Sequence, residues 1–99
     1  MLKIFIANRL SNGNTIFPVE LHVDDAHLLI VKPGLAFIIE GGNKSLEYRN
    51  ITSVEVISPR FSFSKIIISV YQLDKIVIEG FEQYKAEEAA ILIRHNMKK

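Results

Sequence analysis

Apolar and polar residues alternate with a period of two along most of this chain, the spacing of strands that cover one face. Leu2 to Ala7 sets Leu2, Ile4 and Ile6 on one side and Lys3, Phe5 and Ala7 on the other. In "SNGN", Ser11 to Asn14, Asn12-Gly13 is a hairpin signal, because both central positions of that tight turn take positive φ. Thr15 to Val23 reads as the returning strand. Pro18 lacks a backbone donor, so that strand lies at an edge, is bulged, or is split there. The polar "DDAH", Asp24 to His27, precedes a strand over Leu28 to Val31, "KPG" turns the chain, and Leu35 to Ile39 is apolar on both faces. "EGGNK", Glu40 to Lys44, reads as a hairpin connection. Lys65 to Tyr71 and Lys75 to Glu79 are dense in β-branched residues on either side of "QLD", which predicts another hairpin.

The alternation slips once. In "SLEYRNITSVEVIS" Leu46 and Tyr48 share a face, Val54 and Val56 share a face, and Ile51 falls on the opposite parity. A one-residue change of phase is what a bulge or corner produces, so the chain is expected to bend at Arg49-Asn50 with Ile51 filling the corner. "SPRFSFSK", Ser58 to Lys65, is a loop or long hairpin tip. After Gly80 the texture changes to Ala, Glu, Lys and Leu without Gly or Pro, which are good helix formers. On a helical wheel Ala86, Ala89, Ala90, Leu92, Ile93 and Met97 form one broad apolar face, opposite Gln83, Glu87, Arg94 and Lys98. Acidic residues come early and Lys98-Lys99 late, which complements the helix dipole. Tyr84 and Ile91 lie off the apolar face beside Glu88 and His95, as a second contact stripe.

The segments "ELHVDDAHLLIVKPG", "KSLEYRNITSVEV" and "KIIISVYQLDKIVIEGFEQYKAEEAAILI" together resemble the pleckstrin-homology-like superfold, nearest to bacterial PH domains and GRAM domains. "YRNITSV", Tyr48 to Val54, fits the corner of that pattern, and the resemblance runs from about Glu20 to Met97. It implies a mainly β protein: a PH-like barrel of about seven antiparallel strands closed by one C-terminal amphipathic helix. One domain then spans residues 1–99, with strands over about 2–79 and the helix over about 81–97.

Composition narrows the function classes. With 48% hydrophobic and 23% charged residues the chain is not of disordered type. A net charge of +1 does not point to nucleic acid, which calls for a basic excess on one face. There is no cysteine, hence no disulfide and no thiolate chemistry. The apolar start is too short for a signal-peptide core, and no run approaches the roughly 18 apolar residues of a membrane span, so a cytoplasmic location is expected. Gly-rich phosphate loops, a nucleophile elbow and paired histidines at helical spacing are missing from the sequence, so no enzyme, cofactor or metal is expected.

Three groups of residues are candidates for function. The resemblance implies a phosphoinositide pocket near the first hairpin loops, but "SNGN" has only Arg9 near it and "DDAH" carries Asp24 and Asp25, which reads as a solvated turn. His22 and His27 flank the same aspartates, with His95 far along the chain; nothing in the spacing fixes a third ligand for a metal. Phe61 and Phe63 in "PRFSFSK", with Arg60 and Lys65, make either a cover for a barrel end or an exposed partner or membrane contact. Because large aromatics usually lie inside, the cover is the plainer expectation.

Strands that are apolar on both faces, such as Leu28 to Val31 and Ile66 to Tyr71, offer more apolar surface than a small barrel interior needs. The expected function is therefore a non-catalytic binding or assembly module acting through protein contacts. It would pair with its own copies as a homo-oligomer or with an unknown protein partner, with Arg60, Phe61, Phe63, Lys65, Tyr84 and Ile91 as contact residues. The alternative is a peripheral domain that binds anionic lipid through the Phe61–Phe63 tip.

Overall fold

The computed structural model describes residues 2–7, 19–31, 43–73 and 75–98. The expected turn at Ser11–Asn14, the Thr15–Pro18 half of the returning strand, the "KPG" turn and the apolar stretch Leu35–Ile39 lie outside these residues. Four strands form one antiparallel sheet in the order β1 (Lys3–Ile6), β2 (Glu20–Val23), β3 (His27–Val31) and β4 (Asn43–Glu47). Three more, β5 (Ile51–Ile57), β6 (Ser64–Val70) and β7 (Ile76–Phe81), form a second antiparallel sheet. One helix, α1 (Gln83–Met97), follows. The fold is thus mainly β with a C-terminal helix, and among the described residues no strand pairing closes the two sheets into one barrel.

The alternating pattern becomes a shared interior. Leu21, Val23, Leu28, Ile30 and Leu46 point inward from the first sheet, and Val54, Ile66, Ile68 and Ile78 point inward from the second. Ala86, Ala89, Ala90 and Ile93 of α1 complete the same cluster. The helix packs against β5, β6, β2 and the corner before β5. Three alanines with no exposed surface on the contact face let the helix axis approach the strands closely.

The phase slip has two parts. Tyr48–Asn50 forms a single 3₁₀ turn between β4 and β5. The register then shifts, with Ile51 opposite Val70 but Ser53 opposite Ser69, so Thr52 is the extra residue of a bulge. The Thr52 hydroxyl donates to the Ser69 carbonyl at 3.1 Å. The shift lets Ile51 and Val54 both face the core, while Val56 is partly buried against it.

Two boundaries differ from the sequence reading. Asn43 and Lys44 are not a hairpin connection; they pair with Val31 and Ile30 as the start of β4. Phe81 belongs to β7 rather than to the helix. Gly80, with φ of 97°, is the extra residue between the pairs Lys65–Glu79 and Ser64–Phe81. That bulge reverses the parity, so Phe81 faces inward like Ile78 and is fully buried. A glycine before a helical composition looks like a stop signal, yet here it keeps the strand running. The acidic residues also start later than expected: none stands in the first turn of α1, and Arg94 and His95 occupy the last.

Candidate functional site

The β5–β6 connection is a tip. Phe61 is 94% exposed there, and the Arg60 guanidinium lies 5.7 Å from its ring centre, within cation–π range. This corrects the expectation that Phe61 covers an end of the interior. The hairpin carries the ring past the end of the sheet, where no core side chain can reach it. Phe63 is partly buried, and Ser64 beside it turns fully inward, its hydroxyl 2.8 Å from that of Ser58. Arg60, Phe61, Ser62 and Phe63 line an open depression of about 530 Å³ whose other wall is Glu82 and Gln83 at the start of α1. Lys65 is not part of it. It lies in β6 with its ammonium 3.7 Å from Glu79 of β7. Electrostatically the tip is close to balanced, since Glu79 and Glu82 stand near Lys65 and Arg60.

The other two predicted contact residues lie elsewhere. Tyr84 and Ile91, 62% and 63% exposed, stand on the helix face turned away from Ala86, Ala89 and Ile93. Glu88 falls between them, one turn from each, and forms an ion pair with Lys3 of β1. The outer stripe of α1 is thereby tied to the edge of the first sheet. On and beside β1, Leu2, Ile4 and Ile6 are each about half exposed, while Phe5 and Ala7 are buried. Leu29, Val31 and Ile67 are partly covered, so the apolar surface left exposed among the described residues lies instead on β1, on α1, at Tyr71 and Leu73 after β6, and at single positions such as Ile57 and Val77.

A polar corner was not anticipated. The Tyr48 hydroxyl donates to the Asp24 carbonyl at 2.5 Å and lies 3.1 Å from the His27 carbonyl. The Asn96 amide donates to the same Asp24 carbonyl at 3.2 Å. The Asp24–His27 turn closes through the Asp24 amide and the His27 carbonyl at 3.1 Å. Tyr48 and Asn96 are both buried, and no buried side-chain polar atom among the described residues lacks a partner. Burial pushes the Tyr48 phenol above its ordinary pKa of 10.0, and the nearby Asp24 and Asp25 carboxylates add to the shift. Beside this corner is an open hollow of about 340 Å³ lined by Asp25, Ala26, His27, Glu47, Tyr48, Arg49 and Asn96. Within it Arg49 Nε lies 2.6 Å from a Glu47 oxygen. The corner therefore works as a latch that ties the first sheet, the 3₁₀ turn and α1 together. Asn96 could have been flagged in the sequence, since it sits one turn from Ile93 and Leu92 on the edge of the apolar face.

His22 points away from Val23, as the alternation requires, and its Nε2 is 2.8 Å from a Glu20 carboxylate oxygen. Among the described residues no three His, Asp or Glu side chains come together in a way that would hold a metal ion. Among them, too, no helix is long and apolar enough to cross a membrane. Compared with known proteins, the chain matches no family model, no curated protein and no solved structure.

Proposed function

We propose that this chain is a non-catalytic, cytoplasmic PH-like module that works through protein contacts, including contacts with its own copies. Supporting the PH-like reading are the strand count of four plus three, the corner at Tyr48–Asn50 and the helix laid over the shared core. The observation that carries the assembly reading is the large apolar side chains exposed on two elements, Tyr84 and Ile91 on the outer face of α1 and Ile4 and Ile6 on β1 with Leu2 before it. Large apolar side chains left in water on this scale favour a covering partner. Light scattering across a concentration series is expected to show a dimer or larger species forming in the micromolar range. A single monomeric mass at high micromolar concentration would refute self-association.

A second reading is favoured by Phe61 alone: a 94% exposed ring at a hairpin tip is the geometry of a wedge for a lipid surface. It ranks lower because Glu79 and Glu82 offset the cations of the tip, and attraction to anionic lipid is about 1 kcal/mol per uncompensated Lys or Arg. If the tip is a wedge, the chain co-sediments with anionic vesicles at low salt and Phe61→Ala releases it. Absence of binding in the parent protein ends this reading.

A further inference from the structure

We infer that two copies of this chain pair through α1, antiparallel, about a two-fold axis at Ile91. The inference rests on the self-assembly reading above and specifies its surface. Opposite the buried alanines, the outer stripe of the helix reads Tyr84, Glu87, Glu88, Ile91, His95 and Lys98. Its polar residues are segregated: Glu87 and Glu88 precede Ile91, while the hydrogen-bonding imidazole of His95 and the Lys98 cation follow it.

The order selects one arrangement. Parallel helices would set Glu87 and Glu88 against the same acids of the second copy. An antiparallel pair centred midway between Tyr84 and Ile91 would also bring acid to acid at its centre. An antiparallel pair centred on Ile91 does neither. With a rise of about 1.5 Å per residue, residues equally far before and after the axis come level. Ile91 then meets Ile91, Glu87 lies level with His95, and Tyr84 lies level with Lys98, where a cation meets an aromatic face. The helix dipoles also oppose each other in this orientation. Lys3, bound to Glu88, flanks the stripe and lowers the charge density of its acidic half. A contact of one helix face lies at the small end of specific interfaces, so the dimer is a weak, exchanging one.

The test uses three variants on the outer face of α1, each checked by thermal unfolding for an intact fold. Ile91→Arg is expected to raise the dimer dissociation constant at least tenfold. Glu87→Lys/Glu88→Lys makes the stripe wholly basic, and His95→Glu/Lys98→Glu makes it wholly acidic. Each alone is expected to be monomeric in sedimentation velocity, and their equimolar mixture is expected to recover the dimer. If the parent dimerises and Ile91→Arg does so equally well, the helix pairing is wrong while self-association stands. If both charge variants are monomeric and their mixture is too, the antiparallel register is wrong. A monomeric parent overturns the pairing and the assembly reading together, as does a monomeric parent whose binding to anionic vesicles is lost in Ile91→Arg, which would assign the stripe to a membrane.

Discussion

Phe81→Ala is expected to lower the unfolding free energy by about 3–5 kcal/mol, a large part of the roughly 5–15 kcal/mol that holds a typical domain. Phe81 has no exposed surface and sits where β7 ends, directly before the helix that covers the core. Removing its ring takes away the burial of a large aromatic and leaves a cavity under the start of α1. Other fully buried members of the same cluster, such as Ile66, Ile68 and Ile93, are held by a sheet and a helix and have little room to collapse into a gap. Urea unfolding followed by circular dichroism measures the effect as a lower midpoint. A loss below about 1 kcal/mol would mean that Phe81 is not enclosed as described, because surface substitutions fall in that range.

Tyr48→Ala is expected to cost about 3–4 kcal/mol, and Tyr48→Phe about 1 kcal/mol. The alanine variant loses both the buried ring and the latch. The phenylalanine variant loses only the hydroxyl, and the carbonyls it served keep other donors: Asn96 at 3.2 Å for Asp24, and the Asp24 amide at 3.1 Å for His27. The two variants thus separate packing from hydrogen bonding at one position. They also differ from the parent in alkaline solution. Folding raises the Tyr48 pKa above 10.0, so the folded state favours the neutral phenol. Its contribution is complete below the unfolded value of 10.0 and is lost as pH rises through the higher folded value. Stability of the parent should therefore fall above pH 10 by an amount that Tyr48→Phe does not show. Parallel curves for the two proteins between pH 9 and 11 would remove Tyr48 as the cause.

Both predictions concern features with different histories in the sequence. The helix stripe Ala86/Ala89/Ala90/Ile93 was legible from periodicity, because one covered face leaves a period of 3.6 in a helix; Leu28 to Val31 and Ile66 to Tyr71 were legible as strands, but their two apolar faces left open that Leu28/Ile30 and Ile66/Ile68 are the inward rows. The bend at Arg49-Asn50 was legible from the phase slip, and Tyr84 and Ile91 from their place off the main apolar face. Phe61 drew attention as an aromatic beside arginine, but its exposure was not legible. Periodicity holds inside a strand and says nothing of a tip, where the path of the chain decides which ring meets solvent.

What the sequence determined by itself is a set of local patterns: the strand periodicity, the helix and its alanine stripe, and the turns at Asp24–His27 and after Val70. Those follow from short-range geometry and from the cost of leaving apolar side chains in water. Tertiary structure alone decided the rest. Gly80 became a bulge instead of a stop, since the partner residues Ser64 and Lys65 hold the strand in register on either side of it. Asn96 went inside because a carbonyl 72 residues earlier in the chain accepts its amide. Glu88 met Lys3 across 85 residues, an ion pair that joins β1 to the helix only once both are in place. A polar group is buried only where a partner waits for it, and that partner is supplied by chain segments far apart in the sequence.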